Sequence, residues 1–237
     1  MSAETEAANL HGVSPRPLEH PLRGFGVVPL ARETLDGVLR GYRRPNDKVS
    51  EWMKEGALQP LRRGLYLAGQ PLRRGPICLP LLANHLYGPS CVSLDYALAW
   101  HGLIPEGVVE VSSVTPRPSR RLQNALGRFS YQHLPLPYYV VGQDLGQSSE
   151  GLSFLITSPA KALCDRLVLS RGLGALSRET MRQWLLEDLR LDAELLGQLD
   201  LADIHACLVT GYKRRQLGSL LAVLEALQKE MNQELAA

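Results

Sequence analysis

The run from Tyr87 to Pro118, YGPSCVSLDYALAWHGLIPEGVVEVSSVTPRP, constrains the fold more than any other stretch. It reads as strand, helix, turn, strand. Cys91 and Val92 are apolar and lead into Ser93, a residue type suited to a helix N-cap because its hydroxyl can satisfy an early orphan N–H. Leu94, Ala97, Leu98 and His101 fall at i, i+3, i+4 and i+7, one helix face. Gly102 suits the position just past the helix, and Pro105 bars continuation. Val108, Val109, Val111 and Val114 then predict a β-branched strand that ends in the turn-forming Thr115-Pro116-Arg117-Pro118. A unit of this kind buries a helix against a sheet.

The chain has 237 residues, enough for one large or two small domains. Charge is unevenly spread. Residues 16–74 hold twelve Arg or Lys against six Asp or Glu, net +6, whereas residues 75–237 are net −2. A basic N-terminal third on a mildly acidic body fits a nucleic-acid face on a protein-binding scaffold. A solvated, Arg-rich surface is the alternative. Cys78, Cys91, Cys164 and Cys207 form no CxxC pair and lie among apolar neighbours, which predicts buried free thiols, not zinc ligands or disulfides. The N-terminus lacks an apolar signal core, and no apolar run approaches the ~20 residues that span a bilayer. The expectation is a reduced, cytoplasmic protein with no membrane contact.

In chain order, residues 1–24 read as a flexible arm, polar and interrupted by Pro15, Pro17 and Pro21, with Arg16 and Arg23 able to touch a phosphate backbone. Residues 25–70 read as a small winged helix–turn–helix-like module. Leu30 to Tyr42 predicts one helix, and Asp47 to Glu55 a second with Val49, Trp52 and Met53 inward, closed by Gly56. Ala57–Leu61 and Gly64–Leu67 alternate as two strands around Arg62-Arg63-Gly64, a hairpin with a doubly basic tip. A helix suits the major groove, and an Arg-tipped wing suits phosphates or the minor groove. On this reading Asn46, Lys48, Ser50, Glu51 and Lys54 form the outward helix face. Arg62 and Arg63 form the wing, and Arg40, Arg43 and Arg44 are backbone contacts. The expected partner is double-stranded operator DNA.

After the linker Gln70–Pro76 comes a mixed α/β (α+β) domain over 76–170 and a helical part over 171–237. Ile77–Tyr87 predicts an apolar helix. Ser119–Leu126 reads as a polar loop or short helix, Phe129–Leu134 as a strand, Pro135–Val141 as an extended connection and Gln143–Gly151 as a turn. Leu152–Ile156 is a buried strand leading to Ser158 and Pro159, N-cap and N1 of a helix in which Lys161 and Asp165 stand at i and i+4. Ser177–Arg190, Asp192–Leu199, Leu201–Val209 and Tyr212–Leu235 complete the helices. Arg117, Arg120, Arg121 and Arg128 supply a second basic patch, read as the solvated edge of the sheet, with a partner-binding site as the alternative. Lys213, Arg214 and Arg215 lie at the start of the last helix, where its dipole disfavours cations. That conflict points to an anionic partner, with an unpartnered surface run as the alternative.

Catalysis has little to stand on. Ser93 and His101 are eight residues apart on one helix, ~12 Å along its axis, too far for a catalytic triad with Asp95. G-x-S-x-G, P-loop, Rossmann and HExxH motifs are missing from the sequence. A constellation of Asp95, Glu110 and Lys161 is the remaining geometric option. No cofactor, metal or catalytic residue is expected.

Three segments carry a family resemblance: SLDYALAWHGLIPE with its following strand and TPRP turn, FLITSPAKALCDRLVL, and YKRRQLGSLLAVLEAL. Together with KVSEWMKEGALQPLRRGLYLAG, they resemble the AbiEi family, the antitoxin and transcriptional regulator of a phage-defence (type IV) toxin–antitoxin system. The chain departs from the family at Ala160, where relatives commonly carry an acidic residue. The resemblance implies a regulator that represses its own operon and opposes a nucleotidyltransferase-type toxin, without catalysis. The alternative keeps the fold but makes the chain a non-catalytic interaction subunit of a defence or other nucleoprotein assembly. There a degenerate winged helix contacts RNA, DNA or protein.

Overall fold

The computed structural model describes residues 20–105, 107–173 and 176–234. The fold is α/β, and the chain divides between Arg74 and Gly75 into two compact units. Most of the expected arm, Arg16 included, lies outside the described residues. Among the described residues no helix is long and apolar enough to cross a membrane.

Unit 1 contains β1 (Leu30–Ala31), α1 (Arg32–Val38), α2 (Pro45–Lys54), β2 (Leu58–Arg62) and β3 (Leu65–Ala68). The three strands form an antiparallel sheet with β3 in the middle. The helix predicted over Leu30–Tyr42 is therefore wrong at both ends. Leu30 and Ala31 pair with Tyr66 and Leu65, and the helix stops at Val38, between Gly37 and Gly41. A two-residue strand leaves no periodic trace; its pairing is made far along the chain. Leu22, Leu35, Leu39, Val49, Trp52 and Leu58 pack in one core. Met53, expected inside, is 38% exposed. Gly69 is required by a close approach: a Cβ there would lie 1.7 Å from the Gly56 carbonyl oxygen. Its N–H donates to the Ala57 carbonyl at 2.7 Å, tying the end of the hairpin to the end of α2.

Unit 2 is built on a six-stranded mixed sheet, order β6-β7-β5-β4-β9-β8. The strands are β4 (Cys91–Val92), β5 (Val111–Thr115), β6 (Arg120–Asn124), β7 (Gly127–His133), β8 (Gln143–Gln147) and β9 (Ser153–Thr157). The helices are α3 (Leu79–Leu86), α4 (Leu94–Trp100), α5 (Leu136–Tyr139), α6 (Pro159–Leu169), α7 (Arg178–Gln183), α8 (Ala193–Gly197), α9 (Ala202–Val209) and α10 (Arg214–Glu234). Ser113 and Tyr131 are register partners, and the Tyr131 hydroxyl donates to the Ala83 carbonyl of α3 at 2.8 Å. Ser112 points the other way and bonds to α4. Strand alternation therefore places α3 and α4 on opposite faces. α6 packs on α4, and α10 packs on α6, α7, α8 and α9.

Several expectations need correction. Ser119–Leu126 contains the edge strand β6, whose charged outer residues concealed it. Its turn is held by Asn124 Oδ1, which accepts from Leu126 N–H at 2.9 Å. Gln143–Gly151 contains the opposite edge strand, β8, which is polar for the same reason. Pro135–Val141 contains the helical turn α5, which buries Tyr138 and Tyr139. Val108 and Val109 precede β5, and Val109 is 74% exposed. Beyond α7 the backbone runs as a π-helical turn over Trp184–Asp188.

Ser93 stands at the N-cap position of α4, but its hydroxyl does not cap. Ser112 Oγ takes that role from the sheet: it accepts from Tyr96 N–H at 3.2 Å and donates to the Ser93 carbonyl at 2.8 Å. The Ser93 hydroxyl turns inward instead. It donates to Asp165 Oδ2 at 2.7 Å and accepts from Thr157 Oγ1 at 3.1 Å. Asp165 also accepts from Lys161 Nζ, and both side chains are fully buried. The Lys161 ammonium lies 4.3 Å from the Tyr138 ring centroid. What the spacing presents as an ordinary intrahelical ion pair is thus a buried node joining α4, α6, β9 and α5. At the other end of α4, Gly102 N–H bonds to Ala99 and Leu103 N–H to Leu98, a Schellman closure. His101 Nε2 meets the Thr157 carbonyl at 2.8 Å, so its role is a tie to β9.

Candidate nucleic-acid interface

The candidate surface combines the exposed face of α2, the loop before it and the β2–β3 hairpin tip. Pro45 occupies the first turn of α2, where the lost N–H costs nothing. Val49 and Trp52 anchor the inner face. Asn46, Ser50, Glu51 and Lys54 are exposed, and Lys48 is half-buried. At the hairpin tip Arg62 and Arg63 are exposed, and Arg62 Nη1 donates to the Arg63 carbonyl at 3.1 Å. Gly64 follows with φ +76°, a left-handed conformation that a branched residue would resist.

The predicted contact residues divide into engaged and unengaged groups. Lys48 Nζ sits on Glu51 at 2.5 Å and lies 5.8 Å from the Trp52 ring centroid. The Glu51 hydrogen bond holds the Lys48 ammonium above its usual pKa, and Lys48 holds Glu51 below its own. Asn46 Oδ1 accepts from Arg32 Nη2 at 2.6 Å, while Arg32 Nε pairs with Asp36 at 2.8 Å. Sequence reading missed Arg32, because nothing local announces a contact that crosses between two helices. Ser50 Oγ bonds back to the Asn46 carbonyl at 3.1 Å. Arg44 lies 3.7 Å from Asp47, with both side chains largely exposed. Arg40, Arg43, Lys54 and Arg63 are exposed and make no ion pair among the described residues.

The second basic patch is not one surface. Arg120 and Arg121 are adjacent on β6 and therefore point to opposite faces of the sheet. Arg117 and Arg120 stack on Tyr87, with guanidinium carbons 5.2 and 5.5 Å from its ring centroid. Arg121 lines a cleft on the other face. Arg128 is exposed on β7, and Lys213, Arg214 and Arg215 are exposed at the start of α10. The constellation of Asp95, Glu110 and Lys161 is not assembled. Asp95 and Glu110 line that same cleft, whereas Lys161 is buried against Asp165. Among the described residues no group of three His, Cys, Asp or Glu is placed to hold a metal ion. No protein-family model matches the chain, and no curated protein sequence matches it.

Proposed function

We propose that the chain is a DNA-binding transcriptional regulator of the AbiEi antitoxin type, with unit 1 as its DNA-binding module. One observation carries the reading: Arg62 and Arg63 stand exposed at a hairpin tip, in the same unit as an exposed helix and the exposed Arg40, Arg43 and Arg44. Strand, two helices and a hairpin whose second strand is central support a winged helix–turn–helix-like module, in which a 3-10 turn at Arg23–Phe25 stands where the full motif has a third helix. Its helix enters the major groove and its wing follows the phosphates. Because Lys48 and the Asn46 side-chain oxygen are engaged within the unit, affinity comes mainly from phosphate contacts. Base reading falls to Lys54, Ser50 and the Asn46 amide N–H groups. The regulator acts in the cytoplasm, and its resemblance assigns it a nucleotidyltransferase-type toxin as partner.

A second reading, an interaction subunit of a nucleoprotein assembly, draws on the acidic residues of the α2 surface, Asp47, Glu51 and Glu55, which phosphates would repel. Mobility shift of the protein on its own upstream DNA and on a shuffled duplex separates the two. A regulator retards the upstream DNA selectively. Equal retardation of both, or none, defeats the regulator reading and favours the assembly subunit.

A further inference from the structure

Unit 2 holds a cleft of about 670 Å³ on the α4 side of its sheet. Strand register builds the floor. Ser112 of β5 lies beside Ser130 of β7, and Ser130 beside Arg121 of β6. Gln132 follows on the same face. Ser130 is only 5% exposed and lines the cleft. A sheet face packed by helices ordinarily carries apolar side chains, and a buried hydroxyl ordinarily finds a partner. This row is polar instead, and Ser112 already spends its hydroxyl on α4.

The lining carries Arg121, Arg166 and Arg171 against Asp95 and Glu110. Arg166 is held in place by Asp95 at 2.7 Å and by the Ser170 hydroxyl at 2.7 Å. Arg121 and Arg171 line the cleft and make no ion pair among the described residues. Leu94, also in the wall, has φ of 58°, a conformation costly for a branched residue and commonest at functional sites.

We infer that the cleft binds a small phosphorylated ligand, a nucleoside phosphate, with its phosphoryl oxygens on Arg121, Arg171 and the Ser130 hydroxyl. Planar guanidinium forks match phosphoryl geometry, and their charge-assisted hydrogen bonds are the strong ones. The volume falls in the range of small-molecule sites, and the polar lining selects against apolar occupants. Inorganic phosphate alone would leave most of it unfilled. The carboxylate of Glu110 and the amide of Gln132 suit the hydroxyls and amino groups of a nucleoside. The site lies wholly in unit 2 and does not depend on the DNA reading. A nucleic-acid strand offers the same phosphoryl group, so the test carries both sources.

Titration calorimetry of the full chain uses inorganic phosphate, the four ribonucleoside 5′-monophosphates and a single-stranded hexanucleotide. At least one monophosphate binds at submillimolar concentration and more tightly than inorganic phosphate. Arg121→Gln weakens that binding by roughly tenfold or more. Ser130→Ala also weakens it while leaving the thermal midpoint nearly unchanged, because it removes one oxygen from the cleft floor and opens no gap in the core. Binding by the oligonucleotide alone overturns the nucleotide assignment. So does a failure of every probe to bind at millimolar concentration, or binding that neither substitution alters.

Discussion

Replacing Asp165 by Asn should be among the most damaging single changes in unit 2. Asp165 and Lys161 are both fully buried and joined directly. The second carboxylate oxygen accepts from Ser93 at 2.7 Å, and Ser93 accepts from Thr157. An amide can still accept a hydrogen bond, but it removes the countercharge and leaves Lys161 as a buried cation. Losing one member of a buried pair costs about 3–5 kcal/mol. For a unit of this size that is a fall in Tm of roughly 6–20 °C. Urea melts followed by circular dichroism give the free energy, and calorimetry gives the midpoint. The double variant Lys161→Met/Asp165→Leu removes both charges and should recover most of the loss, because an apolar pair carries no desolvation cost. A single variant costing under about 1 kcal/mol, or a double variant no better than the single, would refute the claim that this node holds the unit together.

Other expectations are more local. Gly69→Ala should destabilise unit 1 by at least about 3 kcal/mol, read by chemical denaturation, because the new Cβ meets backbone at Gly56 and not a movable side chain. Ser158→Ala removes the hydroxyl that accepts from Lys161 N–H at the start of α6 and should cost about 1 kcal/mol in the same assay. The thiols of Cys78, Cys91, Cys164 and Cys207 are all buried, and burial pushes the Cys91 thiol up to about 12. Ellman's reagent should label none of them in the folded protein, even at pH 9, and all of them in denaturant.

Residue patterns reached the α2 helix, the hairpin and the strand–helix run at Cys91–Trp100 because each is announced locally. Val49 and Trp52 recur at helical spacing, Arg62-Arg63-Gly64 interrupts two alternating runs, and Gly102 with Pro105 ends a helix. What escaped is non-local. β6 and β8 lie at the sheet edges, so their sequences, RRLQN and QDLGQ, carry no apolar alternation. The Arg32–Asn46 bond, the Ser112 cap on α4 and the Ser112–Ser130–Arg121 row each join segments that only the folded register brings together. Ser93 shows the same limit from another side. Its type and position both suit a cap, yet a buried carboxylate 72 residues along the chain competes for the hydroxyl and wins.

The salt dependence of DNA binding tests the central claim most directly. Fluorescence anisotropy of the full chain on its upstream duplex, from 50 to 200 mM salt, gives the slope of log affinity against log salt. Arg40, Arg43, Arg44, Lys54, Arg62 and Arg63 acting as phosphate contacts predict a slope of about −5, at roughly 0.9 per contact. Arg62→Ala/Arg63→Ala should make the slope shallower by about 2 without unfolding unit 1. A flat slope, or one that the double variant leaves unchanged, would contradict a DNA-binding role for the hairpin.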